Sequence, residues 1–415
     1  MHNFIFRNPT KIFFGKGMLK NLGNELKHYG KNTLIVYGGR SIKKIGLLNQ
    51  VRKILSNHNI SFFELSGVVP NPVISKVKKG IVLVKKHRIK TILAIGGGSV
   101  IDTGKIIAAG AMVKHDPWDF FIGKERVDKA LPLITIQTLS GSAAEVTSGA
   151  VITNEKTKQK FGAGGYALYP KVSILDPKLT FSAPKTHTAY GAVDMLSHIL
   201  DPYFFGKKEK TFVPDSMSEG LAKIIIKTTP KVILNPNNYE LRANMMWAAS
   251  LANYGMISRG LNPARYYLHM IEHSISSLHD IPHGAGLSVL IVGWTKYAKK
   301  YMPFKLSQFG KKVFDLNYKT SLSASASKTA KKIEKWLNSI KCPTKLSQLN
   351  ISEDEFTKII KNILYEIDNE LRYMDNKSLK KFAFQHCPEK KNLDTLSKIK
   401  KFEEKRLFQI LNLCK

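Results

Sequence analysis

The sequence predicts an α/β N-terminal domain with a parallel, Rossmann-like sheet, followed by an all-helical domain. Over roughly the first 180 residues, short β-rich runs alternate with segments of helical period, a pattern typical of βαβ units. After Pro184 long helical periodicities dominate, and few β-branched runs remain. We therefore predict two domains, residues 1–184 and residues 185–415.

The predicted strands of the first domain are short, and turns or helical segments follow them. They are Thr33–Tyr37, Ser61–Leu65, Thr91–Ile95 and Leu133–Gln137. The helical segments around them are predicted over 42–56, 76–86 and 100–113. The second domain is predicted to contain long helices, over 189–205, 216–234, 239–258 and 265–277, with more towards residue 415.

The composition is that of a globular protein, with 43% hydrophobic residues in a chain of 415. No apolar run reaches the roughly 18–20 residues that span a bilayer. The first ten residues lack the basic start and the apolar stretch of a secretory signal. Cys342, Cys387 and Cys414 form no CxxC pair, which disfavours a disulfide framework and a thiolate metal site. We expect a cytoplasmic protein without membrane association.

The net charge of +34 raises the question of a nucleic-acid partner. The basic residues are spread along the chain, and apolar residues interrupt them at helical spacing, as on the solvated faces of amphipathic helices. The sequence contains no helix-turn-helix, zinc-finger or aromatic-basic RNA motif. We therefore expect no specific nucleic-acid partner.

A glycine-rich turn, Gly96–Asp102, follows a predicted strand and opens a predicted helix. Glycine lets the backbone approach a pyrophosphate closely, and a helix N-terminus supplies free N–H groups and a partial positive charge. We expect Ser99 to cap the helix and to bind a phosphate oxygen. The turn is not a GxGxxG fingerprint, and the alternative is a tight structural turn. Its context favours phosphate binding.

The strand that ends at Tyr37 is followed by Gly38 and Gly39, at the position that faces the adenosine ribose in a nucleotide fold. NAD-preferring enzymes often place an acidic residue there, which accepts the 2′-hydroxyl and repels a 2′-phosphate. This chain has no acidic residue there, and residues 40–44 include one arginine, one serine and two lysines. The pattern favours NADP(H) over NAD(H), and the alternative is a glycine turn beside ordinary surface lysines.

Two pairs at helical spacing carry side chains that bind metals. Asp194 and His198 are four residues apart, as are His269 and His273, and His283 follows ten residues later. Residues four apart share a helix face. We predict a metal site formed by Asp194, His198, His269 and His283, although satisfied core histidines are the alternative. Imidazole and carboxylate ligands suit Zn²⁺ or Fe²⁺, and such a metal polarises a carbonyl as a Lewis acid.

His273 lies one turn from His269 and is expected to face the same cleft. Three roles are open for it: a fifth ligand, a proton relay or a group that positions the nicotinamide. A dinucleotide site before a cluster of three histidines and one aspartate predicts metal-assisted hydride transfer.

Together these residues resemble the iron-containing (group III) alcohol dehydrogenase superfamily, most of all its NADP(H)-dependent butanol dehydrogenase and aldehyde reductase branch. The resemblance covers nearly the whole chain. The stretches that carry it are Phe6–Gly15, Tyr37–Lys44, Val69–Pro72, Gly96–Asp102, Ile174–Pro177, Arg242–Ala249, His269–His273 and Ile281–Gly284. No single stretch is specific, whereas their combination is.

The resemblance implies the dehydroquinate synthase-like architecture, with a dinucleotide-binding domain, a helical metal-binding domain and an active site in the cleft between them. It assigns one divalent metal, Fe²⁺ or Zn²⁺, to Asp194, His198, His269 and His283, and it places His273 near the nicotinamide and the substrate. It implies cofactor contacts at Gly38, Gly39, Ser41, Gly97, Gly98, Ser99, Asp102, Thr138, Leu139, Ser142 and Lys160. Homodimers are common in this branch.

We therefore expect a metal-dependent, NADP(H)-linked alcohol dehydrogenase and aldehyde reductase that interconverts butanol-like primary alcohols and aldehydes. One alternative is a polyol or glycerol dehydrogenase of the same superfamily. A remote alternative is a basic binding protein that kept a dehydrogenase fold, against which the intact set of metal-binding side chains argues.

The stretch Thr138–Glu145 departs from the family pattern. Ala143 and Ala144 stand where a glycine and a serine are usual. The lost glycine is expected to alter the turn, and the lost hydroxyl removes one polar contact.

Overall fold

The computed structural model describes residues 3–39, 41–205, 211–261, 266–317, 320–371 and 395–415. Arg40 and Cys387, which the sequence interpretation names, lie outside these residues. The described chain contains eight strands: β1 (Lys11–Phe14), β2 (Asn32–Tyr37), β3 (Ser61–Leu65), β4 (Thr91–Gly96), β5 (Leu133–Gln137), β6 (Gly149–Asn154), β7 (Gln159–Gly164) and β8 (Val172–Leu175).

The α-helices of the described residues fall mainly in the second half of the chain. In chain order they are α1 (Leu22–Tyr29), α2 (Ser41–Lys44), α3 (Leu47–Asn57), α4 (Ile74–Lys86), α5 (Gly98–Gly110), α6 (Lys185–Phe205), α7 (Phe212–Leu234), α8 (Tyr239–Ala252), α9 (Tyr267–His279), α10 (His283–Tyr301), α11 (Pro303–Val313), α12 (Leu322–Ser339), α13 (Phe356–Leu371) and α14 (Leu396–Leu413).

The chain forms two compact units. An α/β unit comprises Arg7–Gly191 and Leu234–Tyr254, and a helical unit comprises Met1–Phe6, Ala192–Ile233 and Gly255–Lys415. The predicted boundary at residue 184 differs from this division in one notable respect. Helix α8 belongs to the α/β unit, where Arg242 donates a hydrogen bond of 2.9 Å to Thr188 and Ser250 donates one of 2.6 Å to Glu145.

Six parallel strands form the sheet of the α/β unit, in the order β1-β8-β5-β4-β2-β3. Alternate residues of each central strand enter two separate apolar cores. Leu34 and Val36 pack with α4 and α5, whereas Ile35 packs with α1 and α3. Both faces are therefore covered by helices, which explains why the strands are nearly continuous apolar runs. This arrangement confirms the predicted fold class.

The chain order of the strands reverses between β2 and β4, because β3 lies on the outer side of β2 and the later strands follow on the other side of β4. In open α/β sheets, ligands bind outside the carboxyl ends of the strands at such a switch point. Strands β2, β4 and β5 end at Tyr37, Gly96 and Gln137, immediately before the three predicted cofactor stretches. The topology therefore brings those stretches to one edge of the sheet.

The helical unit is organised around α10, which packs against α9, α11, α12 and α14. Almost every side chain of α10 from Gly284 to Ala298 is buried. None of the helices in the described ranges is both long and apolar enough to cross a membrane.

Candidate metal centre and dinucleotide site

In the helical unit, α6, α9 and the start of α10 bring the predicted metal ligands together. Asp194 and His198 lie one turn apart on α6, His269 lies in the first turn of α9, and His283 is the first residue of α10. The side-chain oxygen Asp194 Oδ1 lies 3.5 Å from His198 Nδ1, 3.5 Å from His269 Nε2 and 3.7 Å from His283 Nε2. Three imidazole nitrogens therefore lie around one carboxylate oxygen. The ligand atoms of Asp194, His198 and His269 all lie within 4.8 Å of one another, whereas His283 approaches this group through Asp194.

These separations suit a metal better than they suit hydrogen bonds. Contacts beyond about 3.5 Å are poor hydrogen bonds. Four ligands placed tetrahedrally at Zn–N and Zn–O distances lie about 3.4 Å from one another. Asp194 Oδ1 and His198 Nδ1 are buried, and neither has a hydrogen-bond partner among the residues that the structure describes. Buried polar atoms without partners are costly, so these two atoms fit a group that binds between them.

Two buried carboxylates orient the histidines from behind. Asp201 Oδ2 lies 2.7 Å from His269 Nδ1, and Glu272 Oε2 is hydrogen-bonded to His283 Nδ1. Both carboxylates are completely buried. A ring nitrogen that faces a carboxylate keeps the other nitrogen directed at a metal, as is usual for metal-binding histidines.

The sequence interpretation missed these two carboxylates. Asp201 lies seven residues after Asp194, two turns further along the same face of α6, and Glu272 immediately precedes His273. The spacing of Asp201 from Asp194 could therefore have identified it as a site residue. The spacing of the histidines pointed to His273 and not to Glu272 beside it.

The charges of the cluster are strongly coupled. Burial alone would raise the pKa of Asp194, but His198, His269 and His283 hold it well below its usual range. Burial lowers the pKa of His198 to about 3. Burial would also lower the pKa of His269, yet the carboxylates of Asp194 and Asp201 raise it to about 9. The arrangement favours the anionic form of Asp194, which complements a divalent cation.

His273 lies beside this cluster. Its ring centroid is 5.6 Å from that of His283 and 6.3 Å from that of His269, and the side chain is buried. Glu272, His273 and His283 form a second group whose ligand atoms lie within 4.8 Å of one another. The geometry leaves the three roles considered for His273 open.

In the α/β unit, the glycine-rich turn is closely packed. Helix α5 begins at Gly98, with Gly97 as its N-cap. A Cβ atom at Gly98 would lie 2.3 Å from Ser142 Oγ, and one at Gly97 would lie 3.3 Å from Leu139 Cβ. Gly98 therefore leaves no room for a side chain and Gly97 leaves little, and Leu139 and Ser142 form the opposite wall.

The prediction that Ser99 caps the helix is wrong, because the helix begins at Gly98 and its N-cap is Gly97. Ser99 lies in its first turn, and its hydroxyl donates a hydrogen bond to the carbonyl of Pro70. The glycine N-cap provides no side-chain hydrogen bond to the first turn. Backbone N–H groups are therefore the donors that this helix start offers to an anion.

The other predicted cofactor residues surround the same strand ends. The backbone N–H of Thr138 donates to the carbonyl of Gly96 over 3.1 Å, and Asp102 Oδ2 accepts a bond of 2.9 Å from the N–H of Val151. Lys160 is buried on β7 and donates to Asn71 Oδ1 over 3.1 Å. Gly38 and Gly39 lie between β2 and α2, and Ser41 is the first residue of α2. Asn71 was not predicted, although it belongs to one of the stretches that carry the resemblance.

Ala143 stands where a glycine is usual in the family, and its backbone conformation reflects this. Ala143 adopts φ 55° and ψ 24°, in the left-handed region where glycine is unstrained and alanine costs roughly 1–2 kcal/mol. The turn therefore keeps a glycine-like conformation without glycine. Ala144 is buried, and its N–H donates to Ser142 Oγ over 3.3 Å.

Lys105 on α5 is a fully buried cation that the sequence interpretation did not identify. It donates to the carbonyl of Gly149 over 2.7 Å and to Thr147 Oγ1 over 3.1 Å, so it ties α5 to the segment after the Ala143 turn. Burial lowers its pKa to about 8, while Asp102 and Glu145 oppose the shift.

We expect Lys105 to make stability depend on pH above 8. The unfolded chain holds this proton up to about pH 10.5 and the folded chain only up to about pH 8, so the unfolded state binds more protons in that window. The free energy of unfolding should therefore rise with pH there, by about 3 kcal/mol from this group. Denaturant titrations at several pH values give the free energy of unfolding of the parent and of Lys105→Met. The difference between these two free energies isolates the contribution of Lys105. A difference that stays constant between pH 8 and 10.5 would contradict the prediction.

The comparisons with known proteins agree with the fold. The model of the iron-containing alcohol dehydrogenase family matches residues 9–177, and the model of the C-terminal part of the Fe-containing alcohol dehydrogenase family matches residues 188–379. Together the two matches cover most of the chain.

Individual relatives extend this similarity. A Bacillus subtilis protein named probable NADH-dependent butanol dehydrogenase 1 is 41% identical over 360 residues, which cover 86% of this chain and 92% of that protein. The Escherichia coli NADPH-dependent aldehyde reductase YqhD is 33% identical over 76% of this chain and 81% of its own length.

The crystal structure of NADH-dependent butanol dehydrogenase A from Thermotoga maritima has a TM-score of 0.89 with this chain, at 39% identity, and the match covers 100% of this chain and 99% of that one. The chain therefore belongs to the iron-containing alcohol dehydrogenase family.

Proposed function

We propose that this alcohol–aldehyde oxidoreductase interconverts butanol-like primary alcohols and aldehydes, with NADP(H) as the preferred cofactor and one divalent metal, Fe²⁺ or Zn²⁺. The observation that carries the proposal is the convergence of three imidazole nitrogens on Asp194 Oδ1, with buried atoms that have no hydrogen-bond partner in the described chain. Asp194, His198, His269 and His283 would hold the metal.

When bound, the metal supplies Lewis-acid polarisation of a carbonyl oxygen, and the nicotinamide supplies the hydride. Asp201 and Glu272 keep the rings of His269 and His283 in place, which pre-organises the centre. We assign His273 the transfer of a proton between the reacting oxygen and solvent, because a buried imidazole beside the ligands suits that task.

The test is NADPH consumption with butanal, on protein whose metal content is assayed in parallel. We expect turnover that disappears with a chelator and returns when Fe²⁺ or Zn²⁺ is added. A panel of aldehydes and diols separates this activity from that of a polyol dehydrogenase. Stoichiometric metal without turnover of any aldehyde would contradict the proposed substrate class, and turnover that survives complete metal removal would contradict the metal's role.

The proposed preference for NADP(H) is supported by the position after β2. Gly39 carries no acidic side chain, and Ser41, Lys43 and Lys44 follow on α2. Lys43 extends towards Tyr37, with Nζ 5.7 Å from the centre of its ring. The relatives include proteins named as NADH-dependent and as NADPH-dependent enzymes. The ratio of kcat/KM for NADPH to that for NADH therefore tests the proposed preference.

Replacing Gly39 with aspartate should shift the preference towards NAD(H). A Cβ at Gly39 would meet no atom within 4 Å, and Gly39 does not have a left-handed φ, so the backbone tolerates a side chain. The new carboxylate would accept the ribose 2′-hydroxyl and repel a 2′-phosphate. We expect the ratio of kcat/KM for NADPH to that for NADH to fall at least about tenfold, or 1.4 kcal/mol.

Gly39→Asn is the matched control, since it adds a side chain of the same shape without charge. It should change the ratio far less than Gly39→Asp does. A parent enzyme with equal kcat/KM for the two cofactors would contradict the proposed preference.

We also propose a homodimer, as the resemblance implies, and a cytoplasmic location, as the composition suggests. Light scattering on the purified protein should give the mass of two chains, and a monomer would contradict this proposal.

A further inference from the structure

Helix α9 carries His269 and His273, yet its start has no side-chain cap of its own. The first turn is held by other helices instead. Asp201 on α6 accepts the N–H of Leu268 over 3.0 Å, in addition to its contact with His269. The position of His269 therefore depends on what fixes the first turn of α9.

Tyr267, the first residue of α9, is held by α14. Its hydroxyl donates to Glu403 Oε2 over 3.0 Å and accepts a bond of 3.1 Å from Arg406 Nε. The guanidinium carbon of Arg406 lies 4.4 Å from the centre of the Tyr267 ring, and Arg406 Nη2 donates to Glu403 Oε1 over 2.5 Å. All three side chains are at most 3% exposed.

Helix α14 also contacts α10, the helix that begins with His283. At Gly293 of α10 the two backbones approach closely, because a Cβ there would lie 2.2 Å from Cys414 Sγ and 3.0 Å from the carbonyl of Ile410. The same C-terminal helix thus contacts α9 through Tyr267 and packs against α10, the helices that carry His269 and His283.

We propose that α14 positions the metal ligands, with Tyr267, Glu403 and Arg406 as positioning residues that act through the start of α9. The proposal rests on the metal centre of the proposed function. It concerns a helix that begins after residue 379, where the match to the family model ends.

The choice of residues supports a positioning role. A buried ion pair is often no more stabilising than well-packed apolar residues, since the charges lose their hydration. Its hydrogen bonds, however, have defined directions, and metal sites require ligands to be held within roughly 0.5 Å. The hydrogen bonds that the Tyr267 hydroxyl donates to Glu403 and accepts from Arg406 restrict the rotation and the sliding of α9 more than apolar packing does.

The test measures the affinity for Co²⁺ by competition with a chelator, and the visible spectrum of the cobalt protein. Tyr267→Phe removes only the hydroxyl that links α9 to the ion pair. A second variant, Glu403→Met with Arg406→Met, removes both charges together, so that no charge is left buried alone. Asp201→Asn removes the direct partner of His269, and its loss of Co²⁺ affinity is the reference for the other variants.

Trp336→Phe is the matched structural control, because it removes one buried aromatic hydrogen bond, from Trp336 Nε1 to the carbonyl of Ile226, remote in sequence from the ligands. The melting temperature of each metal-free protein is measured alongside. We expect Tyr267→Phe and the double variant to weaken Co²⁺ binding about tenfold and to change the spectrum, while Trp336→Phe keeps the parent's affinity.

Parental Co²⁺ affinity and spectrum in both Tyr267→Phe and the double variant would overturn the positioning role, whatever happens to the melting temperature. An equal loss of affinity in Trp336→Phe would also overturn it, because general destabilisation would then explain the effect. A parent protein that binds no Co²⁺ would overturn the metal centre and this inference with it.

Discussion

Replacing His269 with alanine is expected to remove the bound metal and to lower aldehyde reduction at least about a thousandfold. The ring of His269 lies at the middle of the cluster: Nε2 faces Asp194 Oδ1 at 3.5 Å, and Nδ1 faces Asp201 at 2.7 Å. Its loss removes one ligand and leaves the buried carboxylate of Asp201 without its imidazole partner. Metal analysis and NADPH oxidation on the same preparation test both effects.

His279→Ala is the control on the same helix. His279 lies at the other end of α9, where Nε2 is 3.4 Å from Glu355 Oε1, and its replacement should leave metal content and activity near the parent's values. An His269→Ala protein that reduces butanal at the parent's rate in the presence of a chelator would show that the reaction does not need this metal.

Replacing Gly98 with alanine is expected to raise the KM for NADPH at least about tenfold, a loss of roughly 1.4 kcal/mol in binding. The added Cβ would lie 2.3 Å from Ser142 Oγ and 2.8 Å from Ser142 Cβ, distances that real Cβ atoms do not show. Either the start of α5 or the turn at Ser142 must shift. Both are proposed to contact the cofactor, so its site changes shape in either case. Initial rates at varied NADPH concentrations measure the effect.

Gly220→Ala provides the comparison, since Gly220 is an exposed residue of α7 and a Cβ there would meet no atom within 4 Å. It should leave KM unchanged. An unchanged KM in Gly98→Ala, with NADPH binding confirmed directly, would place the pyrophosphate elsewhere.

Strands β2 to β5 were predicted from their local pattern, whereas β1, β6, β7 and β8 were not. The predicted bounds of β3 and β5 agree with the structure, because both are short runs rich in β-branched or aromatic residues. Strand β7, Gln159–Gly164, was missed because it combines two glycines with Gln159 and Lys160 and shows no apolar alternation. It is a strand because β6 pairs with it in an antiparallel hairpin. Helix α8 was predicted as a helix, but its sequence did not reveal that it belongs to the α/β unit.

The proposed metal ligands were predictable for a similar reason. A spacing of four residues places Asp194 and His198 on one face of a helix, whatever surrounds it. By contrast, the role of Asp201 depends on α9 lying opposite α6, and that of Glu403 depends on α14 lying against α9. The spacing from Asp194 indicates the helix face on which Asp201 lies, but it does not identify His269 as its partner. Glu403 has no sequence neighbour that indicates its role.

The sequence by itself determined the periods of the elements, the residue types at their ends and the set of side chains able to bind a metal and a dinucleotide. Only the tertiary structure decided that Ser99 binds a carbonyl instead of capping its helix, that Ala143 adopts a left-handed turn, and that Tyr267 is anchored by Arg406. The physical reason is that backbone period and face arise from neighbours along the chain. The partner of a buried polar atom comes from packing between elements far apart in sequence, where each such atom must be paired.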